Sequence, residues 1–307
     1  MLIMVLNILI LLIIPFPFIG LIQRTKSWWA GRQGPSITQF FFDLLRLMRK
    51  GIIRSWATSF IFQIGPIIQL AAVLAAALLV PMLSGRSIMG IPGGFILFSY
   101  LLGLSKFMAV LTAMDSGSSF EGMGSNREAL FNILVEPAFF ILLAGFATLN
   151  PGLEFHELIR ILHTLNWSHG LIAGLSALTF FLLLLIEGCR VPIDDPNTHL
   201  ELTMIHEVMI LDNSGPDLAI LHYASALKMV VFSSLIATIL IPVELSTPLT
   251  IILYLVMLGI IPILIGTIES LTARIRMTRL PQFLFILTSF SLIILSVLYL
   301  VEFGGLQ

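Results

Sequence analysis

The chain has 307 residues, of which 58% are hydrophobic and only 11% charged, and its 16 Lys and Arg against 17 Asp and Glu leave a net charge of -1. A soluble domain carries roughly 25% charged residues, so too little polar surface remains here to cover a water-soluble globule, and the near-neutral balance shows no footprint for nucleic acid. One cysteine, Cys189, excludes an internal disulfide framework and any zinc or iron–sulfur site that needs several cysteines from this chain alone.

An all-α membrane protein is therefore expected, a single polytopic domain over 1–307. A span needs about 20 apolar residues, and about eight stretches qualify, near 2–22, 60–83, 95–114, 128–149, 169–187, 218–242, 248–271 and 282–303. The first lacks a basic leader and a small-residue cleavage site, so it reads as a retained span rather than a signal peptide. No internal repeat is evident.

After the first span comes a basic loop with Arg24, Lys26, Arg32, Arg46, Arg49, Lys50 and Arg54. Within it, residues 36–50 place Ile37, Phe41, Leu44 and Met48 at helical spacing, with Gln39, Asp43, Arg46 and Arg49 on the other face. The segment is too short and too charged to span. It predicts an amphipathic helix lying in the headgroup region, or packed on a soluble partner.

Lys106 falls in the middle of the third span. An ionisable group near the bilayer centre costs at least about 2.5–3.5 kcal/mol on insertion scales, so each one is a candidate for function. The glycine-rich run 115–124 reads as flexible and lacks the ending of a phosphate-binding loop. Ser125 and Glu128 have the spacing of a capping box at the start of the fourth span. Glu136 lies inside that span and precedes Pro137, which removes a backbone donor beside the carboxyl group. Lys228 lies inside the sixth span, and Glu187 and Glu269 sit near the ends of the fifth and seventh. Two readings stand for the lysines: structural pairs with a carboxylate, or coupled groups that pass protons stepwise. Glu187 and Glu269 are read either as solvated helix ends or as members of such a chain.

Residues 187–217 form a polar island with Asp194, Asp195, His199, Glu201, His206, Glu207, Asp212 and Asp217. Asp195 before Pro196 suits the start of a helix over 196–211. That helix would put His199 and His206 on one face, with Glu201 about 120° from Glu207. The His-Glu pair at 206–207 has the opening of a metalloprotease helix, but Ile210 stands where the second histidine is needed. A structural loop and a chain of titratable groups at a cavity mouth remain, and histidine titrates near physiological pH.

Lys and Arg concentrate in the odd-numbered loops, at the first loop and at Arg127, Arg190, Arg274, Arg276 and Arg279. The alternate loops hold only Arg86 and Arg160. The positive-inside rule places the odd loops and the acidic island in the cytoplasm, and both termini on the other side of the cell membrane.

Several motifs share an order. Gly31-Arg-Gln-Gly-Pro35 is followed by Gln39 and Asp43; Asp115-Ser-Gly-Ser precedes Gly124-Ser-Asn-Arg-Glu128 and Leu134-Val-Glu-Pro137; Ile186-Glu187 precedes Val191-Pro-Ile-Asp194; Glu269 precedes Ala273-Arg274. Together they resemble the membrane-anchoring H-type subunit (subunit 1) family of respiratory complex I. The resemblance is nearer to the membrane subunits of group 4 energy-converting hydrogenases, of formate hydrogenlyase and hydrogenase-4 type. It covers essentially the whole chain.

The resemblance implies a non-catalytic core subunit that joins a soluble electron-transfer arm to antiporter-like membrane subunits. Iron–sulfur clusters, and in hydrogenases a nickel–iron centre, would lie on partner subunits. It makes Glu136, Glu187, Glu201, Glu207 and Glu269 candidates for coupling to proton or sodium movement, beside Lys106, Lys228, His199 and His206. It makes Arg32, Asp43, Asp115, Arg127, Asp194 and Asp195 candidates for arm docking or a quinone-like cavity. The quinone-reducing branch carries a denser acidic run than Asp194-Asp-Pro-Asn-Thr-His-Leu-Glu201, which weakens the case for quinone. Two alternatives remain: a quinone-binding subunit of a respiratory dehydrogenase, and a stand-alone ion-coupled transporter. The missing repeat and the basic first loop speak against the second.

Overall fold

The computed structural model of the chain describes residues 2–83, 86–149, 154, 155, 157, 167–194, 204–242 and 247–303. Its helices are α1 (Leu2–Ile13), α2 (Pro15–Trp29), α3 (Gln39–Met48), α4 (Phe60–Leu79), α5 (Gly94–Asp115) and α6 (Ser119–Leu149). They continue with α7 (Trp167–Glu187), the single turn α8 (His206–Met209), α9 (Gly215–Leu240), α10 (Thr247–Leu271) and α11 (Leu280–Phe303). A short antiparallel pair, β1 (Pro81–Met82) and β2 (Arg86–Ser87), closes the α4–α5 connection.

Seven of the described helices are long and apolar enough to cross a membrane, and the bent pair α1–α2 makes an eighth. The expected first span over 2–22 is thus two helices meeting at 42°. Pro15 and Pro17 open α2, and a proline can neither donate to the preceding turn nor pack against its carbonyl.

The most enclosed helix is α9, which packs against α2, α3, α4, α7 and α10. Its residues 229–237 are buried without a break, as expected of a helix apolar on every side. Its hydroxyls are satisfied inside: Ser234 bonds Tyr254 at 2.8 Å, and Thr238 donates to the Pro81 carbonyl at 3.1 Å.

One end of the bundle gathers the polar connections. Asp115, ending α5, accepts from the Ser59 and Phe62 amides at 2.8 and 3.1 Å and so caps α4. Glu121, in the first turn of α6, accepts from the Asp212 amide at 2.7 Å. Arg54 pairs with Asp217 of α9 at 3.1 Å, while Ser214 bonds both the amide and the carbonyl of Ile53. These bonds pin the first, third and fifth connections to one another.

Two expectations change. The fourth span begins at Ser119, not near 128, and Ser125 is no N-cap: its hydroxyl donates to the Gly122 carbonyl at 2.9 Å. The run before it is an ordered helical turn, because Gly124 lies under the α8 segment. A Cβ at Gly124 would meet Val208 Cγ1 at 2.3 Å and the Ile205 carbonyl at 3.0 Å. The amphipathic helix forms as α3, but its inward face is rotated. Leu44 is buried and Phe40 packs on the core, whereas Phe41 and Met48 are exposed. Asp43, expected outside, turns partly inward and accepts from Gln39 at 3.0 Å. The expected helix over 196–211 is described only from 204, where α8 is a single turn, and Asp195, His199 and Glu201 lie outside the described residues.

Candidate functional site: a buried line of charge

The chain reverses sharply after α7. Gly188, Cys189 and Arg190 donate their amides back to Leu184, Ile186 and Leu185 at 2.8, 3.1 and 2.8 Å. Cys189 takes a left-handed φ of 51°, a costly conformation for a residue with a side chain. A Cβ at Gly188 would fall 2.8 Å from the Met229 side chain, so only glycine lets the reversal sit against α9. The turn swings Arg190 beneath α10, where it meets Glu269 at 3.5 Å. Lys26 of α2 reaches the same carboxylate at 2.9 Å, and the Glu269 side chain is fully buried. Glu269 is therefore no solvated helix end. A buried carboxylate needs such partners to offset its lost hydration.

Asp194 closes the reversal. Its carboxylate accepts from the Ile205 and His206 amides at 3.0 and 3.1 Å and pairs with Arg274 at 3.0 Å. It is 1% exposed. One side chain thus fixes the start of α8 against the α10–α11 connection. Arg127 donates to the Met204 carbonyl at 2.9 Å and braces α8 from α6.

Deeper in the bundle, Glu187 lies between two lysines. Lys106 of α5 pairs with it directly, and Lys228 of α9 approaches at 3.4 Å. Lys106 also donates to Asn132 of α6 at 2.9 Å. All three charged side chains are close to nine-tenths buried. The partner of Lys106 comes from another helix, as its isolation in the sequence required.

Three cavities connect these groups. The outermost, about 540 Å³, lies between α2, α3, α9 and the reversal, with Lys26, Asp43, Arg190, His206, Glu207 and His222 on its wall. A pocket of about 20 Å³ follows, bounded by Cys189, Asp194, Glu128, Lys106 and Glu187. The third, about 250 Å³, is lined by Lys106, Glu187 and Glu136. Cys189 borders the first two, and Lys106 and Glu187 border the last two. A sequence of polar walls therefore runs from the polar end to the middle of α5 and α6. Phe139 and Phe232 line the third cavity and pack with Phe98 at centroid distances of 5.9 and 6.4 Å. This aromatic cluster forms the apolar side of the third cavity.

Of the residues singled out in the sequence, Lys106, Lys228, Glu187, Glu136, Glu207, His206, Asp43 and Asp194 border these cavities or pair with residues that do. Arg32 is exposed beyond α2, and Asp115 is taken up in capping α4. Sequence reasoning missed Lys26 and Arg190 as partners of Glu269, and His222 on the cavity wall. It also passed over Glu121, which is fully buried. A carboxylate in a glycine-rich run beside an apolar helix was the signal for it. Among the described residues no three of His, Cys, Asp and Glu converge as metal ligands would.

Fold and site define a polytopic membrane protein with a line of buried charge between its helices. The chain belongs to the NADH dehydrogenase family, which it matches over residues 1–300. It is 28% identical over 235 residues to hydrogenase-4 component C of Escherichia coli, covering 76% of this chain and 73% of that one. It is 24% identical over 273 residues to formate hydrogenlyase subunit 4 of the same organism, covering 86% and 87%. A chain from the membrane-bound sulfane sulfur reductase, an archaeal respiratory membrane complex, superposes with a TM-score of 0.81 at 19% identity, covering 96% of this chain and 98% of that one. The family read from the sequence motifs is the family found.

Proposed function

We propose that this chain is a non-catalytic membrane core subunit of a complex I-like or group 4 hydrogenase-like oxidoreductase. It docks a peripheral electron-transfer arm at its polar end and couples that arm's chemistry to proton or sodium movement. The observation that carries the reading is the succession of cavities from Glu207 and His206, past Cys189 and Asp194, to Lys106, Glu187 and Glu136.

The chemistry follows from the charges. Two lysines share one glutamate at the centre of the line, so a change of charge at the outer cavity shifts the balance of attraction among all three. Glu207, His206 and His222 stand where an event in a docked arm would first be felt. Redox centres would be supplied by the partner subunits, as iron–sulfur clusters and, in a hydrogenase, nickel–iron. Antiporter-like membrane subunits would take up the ion movement. In this reading the basic loops and the island face the cytoplasm, in the cytoplasmic membrane, with both termini outside.

A second reading has support from the outer cavity itself. Its volume suits a small amphiphile, and Ile19, Phe40, Leu44 and Met229 line it together with the polar groups. A quinone headgroup would lie toward His206 and Lys26, with the apolar wall beside α3 for its tail. Inhibition of the complex by quinone analogues is the test of this version, and their failure to bind removes it. A stand-alone transporter is the third reading; isolation in mild detergent of a functional assembly made of this chain alone would establish it against the first.

Glu207→Gln tests the main reading. The variant assembles with its partners, yet ion movement driven by the complex in membrane vesicles is lost or turnover slows. Wild-type rates with wild-type gradients contradict the role.

A further inference from the structure

Glu121 is a buried carboxylate that the line of charge does not use. Its side chain is fully enclosed in the first turn of α6, at the polar end of the bundle. One oxygen accepts from the Asp212 amide at 2.7 Å, while Oε2 has no hydrogen-bond partner among the described residues. The next residue along, Asn213, is 4% exposed, and neither atom of its side-chain amide is bonded among those residues. Asp212 itself is exposed, so water stands one residue away from the enclosed carboxylate. The other charged groups around this end are engaged: Asp115 with the α4 amides, Asp217 with Arg54, Asp194 with Arg274, and Arg127 with the Met204 carbonyl. An enclosed oxygen left without a partner is uncommon and calls for a transient one.

The spacing along α6 gives the direction. Glu121, Ser125, Glu128 and Asn132 recur at intervals of four, three and four, which puts them within about 60° of one another around the helix. Ser125 is 2% exposed. Glu128 and Asn132 border the small pocket that also holds Lys106 and Glu187, and Asn132 accepts from Lys106 at 2.9 Å. The exposed positions of the same turns, Met123, Asn126 and Leu130, lie on the opposite side of the helix. A spanning helix therefore turns its carboxylates and hydroxyl inward over this stretch. Its steps along the axis are about 6, 4.5 and 6 Å, each within reach of one bridging water.

We propose that Glu121 is the entry of a second proton branch, which runs along this face of α6 from the water beside Asp212 to the Lys106–Glu187–Lys228 group. A proton from that water arrives on Glu121 Oε2. It passes to the Ser125 hydroxyl as that hydroxyl gives its own proton to Glu128, and Glu128 hands it to the lysine–glutamate group. A hydroxyl both accepts and donates, so one such partner at a time is enough for a proton, whereas a metal cation needs several oxygens at each stop. The branch bypasses the outer cavity, so the line is refilled while a docked arm or a bound molecule closes that cavity.

The inference deepens the coupling reading and rests on it, and the variants separate the two. Driven ion movement and turnover are measured for the intact complex in membrane vesicles. Glu121→Gln keeps an oxygen for the Asp212 amide but cannot carry a proton, and Glu121→Asp can. Ser125→Ala interrupts the branch and spares the Glu121–Asp212 bond. The expected result is an assembled complex in which ion movement falls severalfold in Glu121→Gln and in Ser125→Ala and is largely regained in Glu121→Asp. Wild-type ion movement and turnover in Glu121→Gln or in Ser125→Ala overturn the branch, as does an equal loss in Glu121→Gln and Glu121→Asp, which marks Glu121 as a brace for the Asp212 amide. If Lys106→Met is impaired while the Glu121 and Ser125 variants are not, the branch alone fails; if Lys106→Met is at wild-type level as well, the coupling reading fails with it.

Discussion

Glu187 holds its place by satisfying two lysines at once, Lys106 from α5 and Lys228 from α9. Removing one member of a buried ion pair costs about 3–5 kcal/mol because the other is left uncompensated. The two lysines are not equivalent to the glutamate in this respect. Glu187→Gln strands two buried ammonium groups, whereas Lys106→Met leaves the Glu187–Lys228 pair intact. Thermal unfolding in detergent is expected to show a much larger loss for Glu187→Gln, with part of it regained when Lys228→Met is added. Equal losses for the two single variants would contradict the shared-glutamate arrangement. Each of these residues was visible in the sequence as a charge inside an apolar stretch. Their pairing was not, since Lys106, Glu187 and Lys228 come from three helices whose packing no local pattern encodes. Glu269 stayed open between a solvated end and a buried charge for a related reason. Nearness to a helix end looks like solvent in a sequence, but Lys26 and Arg190 close over it.

The connection between α5 and α6 shows how an element can look loose and yet be fixed. Its glycines read as flexibility, but they serve different purposes. Gly124 lies where a Cβ would press on Val208 and the Ile205 carbonyl, while Gly122 has nothing within 4 Å. Overpacking a close contact costs about 1–3 kcal/mol, and alanine in an open helical position gains about 0.5–1 kcal/mol over glycine. Gly124→Ala is therefore expected to lower the unfolding temperature and Gly122→Ala to leave it unchanged or raise it. The reverse order would show that α8 does not rest on α6. Helix α3 makes the complementary point. Its amphipathic period was legible, but with Phe40, Phe41 and Phe42 in succession the sequence could not say which phenylalanine faces inward. The answer depends on α2, where a Cβ on Gly20 would collide with the Ile37 backbone; this close crossing fixes the rotation of the segment and brings Asp43 to the cavity wall.

Across the whole molecule, the hydropathy pattern was enough for the number of spans, apart from the bend before Pro15. From the bias of Lys and Arg we propose that the polar end of the bundle faces the cytoplasm. Trp56, 98% exposed in the connection after α3, reports on this directly. Trp56→Cys is expected to react with a membrane-impermeant maleimide in inverted vesicles and not in intact cells. Wild type serves as the blank, because burial, with the Glu128 carboxylate next in weight, pushes the Cys189 thiol well above its ordinary value and keeps it protonated. Labelling only from the outside would reverse the orientation. In the proposed coupling, function at this scale depends on the succession of cavities from Glu207 to Glu136, of which Lys106, with Glu187, borders the last two. The most direct measurement is the number of ions moved per electron pair, together with turnover, by the intact complex carrying Lys106→Met. The account predicts an assembled complex in which that ratio or the turnover falls well below wild type; wild-type values of both would contradict it.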